Sequence, residues 1–207
     1  KCSGMRHCWL RLWAVLALLA ICPSLASADV WAVLKEPGVI ALIRHADAPG
    51  VGDPKGWRLD DCSTQRNLSE RGRREARALG EAFRANGIVA AKVIASQWCR
   101  AVDTATLMQI GPVEQSSAFN NAYVLFDNRA ELTRAARGVL SGWNGEGLLV
   151  VVSHGDNIAL LTGVMPAQGE IVAVRRVAGD PGRLTVIGRI RGAGARVNSG
   201  ATVATGG

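Results

Sequence analysis

The chain has 207 residues, 48% of them hydrophobic and 20% charged, which is enough for one domain with a proper core. Its formal net charge is +7, but three of the 24 basic residues (Lys1, Arg6, Arg11) and no acidic residue precede position 29, leaving 21 basic against 17 acidic in the remainder. That mild excess, with no Lys/Arg run interleaved with aromatics, argues against a nucleic-acid-binding protein and suits a small anionic substrate.

Residues 1–28 read as a secretory signal peptide. Arg6 and Arg11 give a basic start, Leu12 to Cys22 is an apolar run too short to span a bilayer comfortably, and Ala26-Ser27-Ala28 ends in small residues. Cleavage after Ala28 is expected, with export to the periplasm or medium and no stable membrane anchor. Three of the five cysteines (Cys2, Cys8, Cys22) fall in this leader. Cys62 and Cys99 remain, an even count that favours a disulfide over two buried thiols in an exported chain.

One domain is expected over residues 29–191. Val39 to Ile43 reads as a buried central strand running into Arg44-His45. The Gly/Pro/Asp-rich stretch Asp47 to Cys62 reads as a loop. Ser69 then caps a helix with Glu70 in its first turn, an inward stripe of Ala76, Leu79, Ala82 and Phe83, and Asn86-Gly87 at its end. Val93 to Ala95 is a short strand, and a helix runs from Cys99 or Arg100 to about Ile110, stopped by Gly111-Pro112. A third helix is expected from Asp127 to about Leu140. The apolar run Leu148 to Ser153 is a strand ending at His154, and Asn157 to Leu161 begins the helix after it. Ile171 to Val177 and Leu184 to Ile190 alternate as a hairpin at or beside the sheet edge, with Asp180-Pro181-Gly182 as its turn. The Gly/Ala/Thr-rich tail, 192–207, is expected to be disordered. This order predicts a three-layer α/β/α sandwich with a mostly parallel central sheet, whose site lies at the carboxyl ends of the strands.

The only histidines outside the leader, His45 and His154, both sit at such ends, whereas His7 lies in the leader. Arg44 adjoins one of them, and Arg100 follows the strand Val93 to Ala95 closely enough to reach the same edge. Two guanidinium forks and two imidazoles suit a phosphoryl group, because arginine binds phosphate oxygens bidentately and a neutral histidine can attack phosphorus.

Four segments resemble the histidine phosphatase superfamily (phosphoglycerate mutase-like). They are Leu42-Ile43-Arg44-His45-Ala46, Leu68-Ser69-Glu70-Arg71-Gly72 with Ala76, Ser96-Gln97-Trp98-Cys99-Arg100-Ala101 with Thr104-Ala105, and Val152-Ser153-His154-Gly155. The resemblance spans Val39 to Ile190. It implies His45 as a nucleophile that becomes a phosphohistidine, Arg44, Arg100 and His154 as holders of the phosphate, and no metal or other cofactor.

The chain departs from that pattern in three places. Ala46 replaces a glycine, Val51 lies about where an asparagine is often found, and Asn121 falls where many relatives carry the glutamate that protonates the leaving group. Glu170, Asp127 and Asp156 are the candidates to replace that acid, with Glu170 ranked first and Asp127 also readable as a helix cap. Gln65 and Arg66 lie where the family loop lines the pocket mouth and are candidate substrate contacts. A Cys62–Cys99 bond would tether that loop to Arg100, an arrangement similar to exported bacterial members of the family.

The resemblance therefore implies an exported phosphomonoesterase acting on a small phosphorylated substrate, with an envelope or sugar phosphate as a candidate. A phosphohistidine or phosphoramidate phosphatase and a non-catalytic phosphate-ligand binder are the alternatives. Nucleic-acid partners are not expected.

Overall fold

The computed structural model describes residues 29–144 and 146–192. The expected leader, 1–28, and the expected tail beyond residue 192 lie outside the described residues.

Six strands form one sheet: β1 (Val39–Arg44), β2 (Ala90–Ala95), β3 (Val113–Gln115), β4 (Leu148–Ser153), β5 (Ile171–Val177) and β6 (Asp180–Ile190). Their order is β3-β2-β4-β1-β5-β6. The pairs β1–β4, β2–β4 and β2–β3 are parallel, while β1–β5 and β5–β6 are antiparallel. The helices are α1 (Val30–Val33), α2 (Glu70–Ala85), α3 (Cys99–Met108), α4 (Arg129–Ser141) and α5 (Gly155–Thr162).

The alternation of side chains along the central strands builds the three layers. Val39, Ala41 and Ile43 of β1, with Leu148, Val150 and Val152 of β4, face Leu79 and Phe83 of α2 and Ala101, Ala105 and Met108 of α3. The intervening Ile40, Leu42, Leu149 and Val151 face Ala136 and Leu140 of α4 and Ile158 and Leu161 of α5. Because both faces are covered, these strands read as continuous apolar runs rather than half-polar ones.

Ser69 caps α2, its side chain accepting from the Gly72 N–H at 3.0 Å. Gly72 belongs in this position because a Cβ there would lie 2.1 Å from the Asp47 carbonyl oxygen. The start of α2 is thereby pressed against the chain that leaves β1. Gly80, further along α2, packs directly on the end of α3.

The structure differs from the sequence expectation at several boundaries. The hairpin turns at Ala178-Gly179, with Gly179 at φ +80°, and Val177 pairs with Asp180. Pro181 therefore lies within β6, an edge strand, where its missing N–H removes no ladder bond that a neighbouring strand needs. The third helix begins at Arg129 after a short 3-10 turn, Phe126–Asn128. α3 stops at Met108, with Gln109 in the left-handed conformation.

Two glycine substitutions test this packing. A Cβ at Gly80 would stand 1.8 Å from the Met108 carbonyl oxygen, whereas one at exposed Gly138 of α4 meets nothing within 4 Å. Thermal and urea melts are expected to show Gly80→Ala destabilised by about 3 kcal/mol, the upper end for overpacking. Gly138→Ala is expected to be stabilised by roughly 0.5–1 kcal/mol.

Candidate active site

The site starts from the pairing of β1 with β4. Arg44 is level with Ser153, and the His45 N–H donates to the Ser153 carbonyl at 2.9 Å. The two histidines leave the sheet side by side, ring centroids 5.5 Å apart, and both are buried. His45 Nδ1 lies 2.8 Å from the Ala46 carbonyl. A carbonyl only accepts, so Nδ1 carries the proton and Nε2 keeps a free lone pair. The Ala46 N–H donates to Thr104 Oγ1 at 3.0 Å, and that hydroxyl donates to the Arg100 carbonyl at 2.7 Å, tying the loop that follows His45 to α3.

Burial, with the positive charges of Arg100, Arg66 and Arg44, pushes the His45 pKa down to about 3, against a weaker opposing effect of its bond to Ala46. Burial, followed by His45 and the same three arginines, holds His154 well below the usual imidazole range. Both rings are therefore neutral near pH 7.

Arg44 is half-buried and donates from Nη1 to the Pro166 carbonyl at 2.9 Å. Arg66 donates from Nε to the Gly52 carbonyl at 2.7 Å and from Nη1 to the Ala48 carbonyl. Arg100 is fully buried and forks onto Asp53, with Nη1 to Oδ1 at 2.8 Å and Nη2 to Oδ2 at 3.1 Å. Asp53 also accepts from the Arg66 N–H at 2.9 Å and from Trp98 Nε1 at 3.0 Å. Burial alone would raise the Asp53 pKa, but these bonds and the Arg100 charge hold it below its ordinary value. Sequence reasoning missed Asp53, because an aspartate between Gly52 and Pro54 has the signature of a turn former. Only the burial of Arg100 reveals its partner.

Arg44, His45, Arg66 and His154 line one open cavity with Gly50, Val51, Gly52, Asn121, Tyr123, Gly155 and Asp156. Its volume is about 170 Å³, below the roughly 300–1,000 Å³ of pockets that enclose a drug-sized ligand. It suits a phosphoryl group whose organic part stays at the mouth. Arg100 does not line the cavity, although its charge acts on both rings. Of the five buried side-chain N or O atoms without a protein partner among the described residues, three are Arg44 Nε, Arg100 Nε and His154 Nδ1. Each unmade bond costs about 1–3 kcal/mol, so the site is left short of acceptors.

The other sequence candidates separate clearly. Gln65 does not reach the cavity: it donates to the Arg58 and Leu59 carbonyls at 2.9 and 3.1 Å and accepts from the Cys99 N–H at 3.0 Å, bracing the loop instead. Glu170, ranked first as proton donor, is also absent from the lining. Its buried carboxylate accepts from Arg189 Nε at 2.6 Å, Arg191 Nε at 3.1 Å and the Ala167 N–H at 2.7 Å. Burial would raise its pKa, but these donors hold it low. An ionised, fully engaged carboxylate away from the cavity cannot supply the proton. Asp127 is exposed and away from the lining. Asp156, in the first turn of α5, lines the cavity, as does Asn121.

Cys62 and Cys99 form a disulfide with Cα atoms 5.7 Å apart. It joins the short 3-10 turn Cys62–Thr64 to the first residue of α3, next to Arg100. A crosslink spanning 37 residues stabilises by roughly 3–4 kcal/mol through the unfolded chain.

Two measurements follow from this geometry. Unfolded imidazoles take up protons near pH 6.5, whereas the folded rings resist them down to about pH 3 for His45. Stability is therefore present above pH 6.5 and is lost as pH falls through that interval. Ring NMR is expected to show neither histidine titrating between pH 8 and 5, while the melting temperature falls once pH drops below about 6.5. Glu170→Gln is expected to cost about 1–2 kcal/mol, since the part-exposed Arg189 and Arg191 regain solvent while the buried side chain loses its charged bonds. A denaturant melt checks this, and activity should stay within a few-fold.

Residues 40–124 match the sequence profile of the histidine phosphatase superfamily (branch 1). No curated protein sequence matches the chain. Among solved structures, the fold is similar to the α-ribazole phosphatase of Shigella flexneri, at 18% identity and a TM-score of 0.53, covering 72% of this chain and 94% of that one. It is also similar to the mycobacterial glucosyl-3-phosphoglycerate phosphatase, at 17% identity and a TM-score of 0.52, covering 73% and 98%. A third is the phosphoserine phosphatase of Entamoeba histolytica, at 13% identity and a TM-score of 0.53, covering 74% and 96%. At these identities the likeness is one of fold. By the profile match over residues 40–124 and by its phosphoglycerate mutase-like fold, the chain is similar to the histidine phosphatase superfamily.

Proposed function

We propose that the chain is an exported phosphatase that hydrolyses small phosphomonoesters through a phosphohistidine on His45. One observation carries the reading: a neutral His45 with a free Nε2 stands at the same small cavity as Arg44 and His154, each of which carries a nitrogen with no protein partner. Phosphate oxygens are the acceptors such donors match. The phosphatase activities of the three structural relatives support the class of reaction. The leader sequence and the Cys62–Cys99 disulfide support export.

In this mechanism His45 Nε2 attacks phosphorus and the P–O bond to the alcohol breaks. The arginines and His154 stabilise the charge on the equatorial oxygens. Asp156 gives its proton to the departing alkoxide, then takes one from the water that attacks the phosphohistidine. Inorganic phosphate leaves and His45 returns to its starting state. Asp156 takes this role because it alone of the three acidic candidates lines the cavity. The organic part of the substrate rests against the exposed Val51 and Tyr123 at the mouth, and an envelope or sugar phosphate is the candidate that export favours.

Purified protein is expected to hydrolyse p-nitrophenyl phosphate in the presence of EDTA, and His45→Ala to abolish that activity. Survival of activity in His45→Ala would overturn the reading. Asp156→Asn is expected to cost about 10²–10⁴-fold with alkyl phosphates, whose leaving groups need a proton. With p-nitrophenyl phosphate, which needs little protonation, the loss should be far smaller. Equal losses on both substrates would remove Asp156 as the acid.

A further inference from the structure

We propose that Ser96 is a positioning residue that sets the tautomer of His154, so that Nδ1 carries the N–H offered to the phosphoryl group. The inference rests on the phosphatase reading for its purpose and on hydrogen-bond accounting for its content.

Ser96 ends the run of β2, and its N–H donates to the Val152 carbonyl of neighbouring β4 at 2.9 Å. Its side chain is fully buried, so solvent does not compete for its single proton. Ser96 Oγ has three neighbours. The Trp98 N–H donates to it at 3.2 Å. His154 Nε2 lies 2.8 Å away and Asn120 Oδ1 3.4 Å away. Asn120 Oδ1 already accepts from the Gln97 N–H at 3.0 Å, and Asn120 Nδ2 donates to Gln97 Oε1 at 2.9 Å. Both bonds fix the amide with its oxygen toward Ser96. That oxygen is an acceptor only at 3.4 Å, at the far limit of a hydrogen bond, so the 2.8 Å contact with His154 Nε2 is where the hydroxyl proton goes.

A neutral imidazole has one ring proton, and burial with three nearby arginines keeps His154 neutral. If Ser96 donates to Nε2, that proton sits on Nδ1, the ring atom with no protein partner. In the opposite tautomer Nε2 would donate to Ser96, and Nδ1 would turn a bare lone pair on the oxygens of an anion. The Trp98 ring, edge-on to His154 at 5.7 Å, holds the imidazole in this orientation. Ser96 touches no substrate. It acts by deciding which nitrogen of His154 is the donor, as second partners of histidine commonly do.

The test uses the full chain with ¹⁵N-labelled histidine. The wild-type spectrum is expected to show His154, assigned by its loss in His154→Asn, as the Nδ1–H tautomer. In Ser96→Ala it should shift toward Nε2–H. Kinetically, Ser96→Ala is expected to lower kcat/KM about 10–100-fold, less than the 10²–10³-fold of deleting an anion-binding donor outright. His154→Asn, whose amide reaches the Nδ1 position, should retain at least tenfold more activity than His154→Gln. Adding Ser96→Ala to His154→Asn should cost nothing more.

A wild-type Nε2–H tautomer overturns the proposal, and it does so even where a variant fails to fold. Full multiplication of the Ser96 and His154 losses overturns it as well. Absence of phosphatase activity in the wild type would instead remove the functional reading and leave the tautomer to the spectrum.

Discussion

The site depends on one alignment, the parallel register of β1 with β4. Arg44 opposite Ser153 brings His45 and His154 off the sheet at the same level. Strand side chains alternate, so a slip of one residue would send every apolar residue of β1 to the wrong layer. The two separate cores, one against α2 and α3 and the other against α4 and α5, resist that slip from both faces. The same burial that fixes the register removes water from the imidazoles. It keeps them neutral, which is the state a nucleophile and a single-proton donor require.

Gathering three guanidiniums beside two histidines is costly unless charge is returned, and Asp53 returns part of it. A buried ion pair contributes little to stability by itself once both desolvation costs are counted. Here its effect is positional. Asp53 joins the loop after β1 to Arg100 of α3, to the Trp98 ring and to the backbone of Arg66, using both oxygens twice. Gln65 and the Cys62–Cys99 disulfide fasten the far side of the same loop to the start of α3. Arg66 donates to the Gly52 and Ala48 carbonyls of that loop and so reaches the cavity pre-oriented. With the terminal nitrogens of Arg100 donating to Asp53 and to the Arg66 carbonyl, its Nε is left without a protein partner.

Much of this was legible in the residues. Apolar runs of five leading into Arg-His and Ser-His mark buried strands that deliver polar groups, and β1 and β4 follow them closely. The Ser69 cap of α2 and the hairpin of β5 and β6 were equally open to local reading. The three-residue β3 was not, because Val113-Glu114-Gln115 is too short and too polar to show a period and is held by pairing with β2 and by Val113 on the core. Gln65 and Glu170 show a different limit. Their chemistry can be read from sequence, but their partners cannot. Glu170 meets Arg189 and Arg191 because the antiparallel register sets Ile171 opposite Ile190, and no local pattern states that register. Gln65 is taken by the N–H of Cys99, across the disulfide that the cysteine count alone made expected.

The position of the acid is where this chain departs furthest from the histidine phosphatase pattern that it resembles. Asn121 still lines the cavity, but its Oδ1 accepts from the Tyr123 N–H, so it serves the loop's own structure. In the proposed mechanism the proton comes instead from Asp156, two residues beyond His154 and in the first turn of the helix that His154 begins. Phosphate donor and acid then ride on one element. Gly155 between them must stay small, since a Cβ there would stand 2.9 Å from Met165 Sδ and 3.3 Å from the Arg44 guanidinium. That close approach brings α5 against Arg44, whose guanidinium is held charged by Asp156 against the lowering effect of burial. The positions of Asp156 and of the Arg44 guanidinium are set by the same contact, so a change in how α5 seats on Arg44 moves both groups at the cavity together.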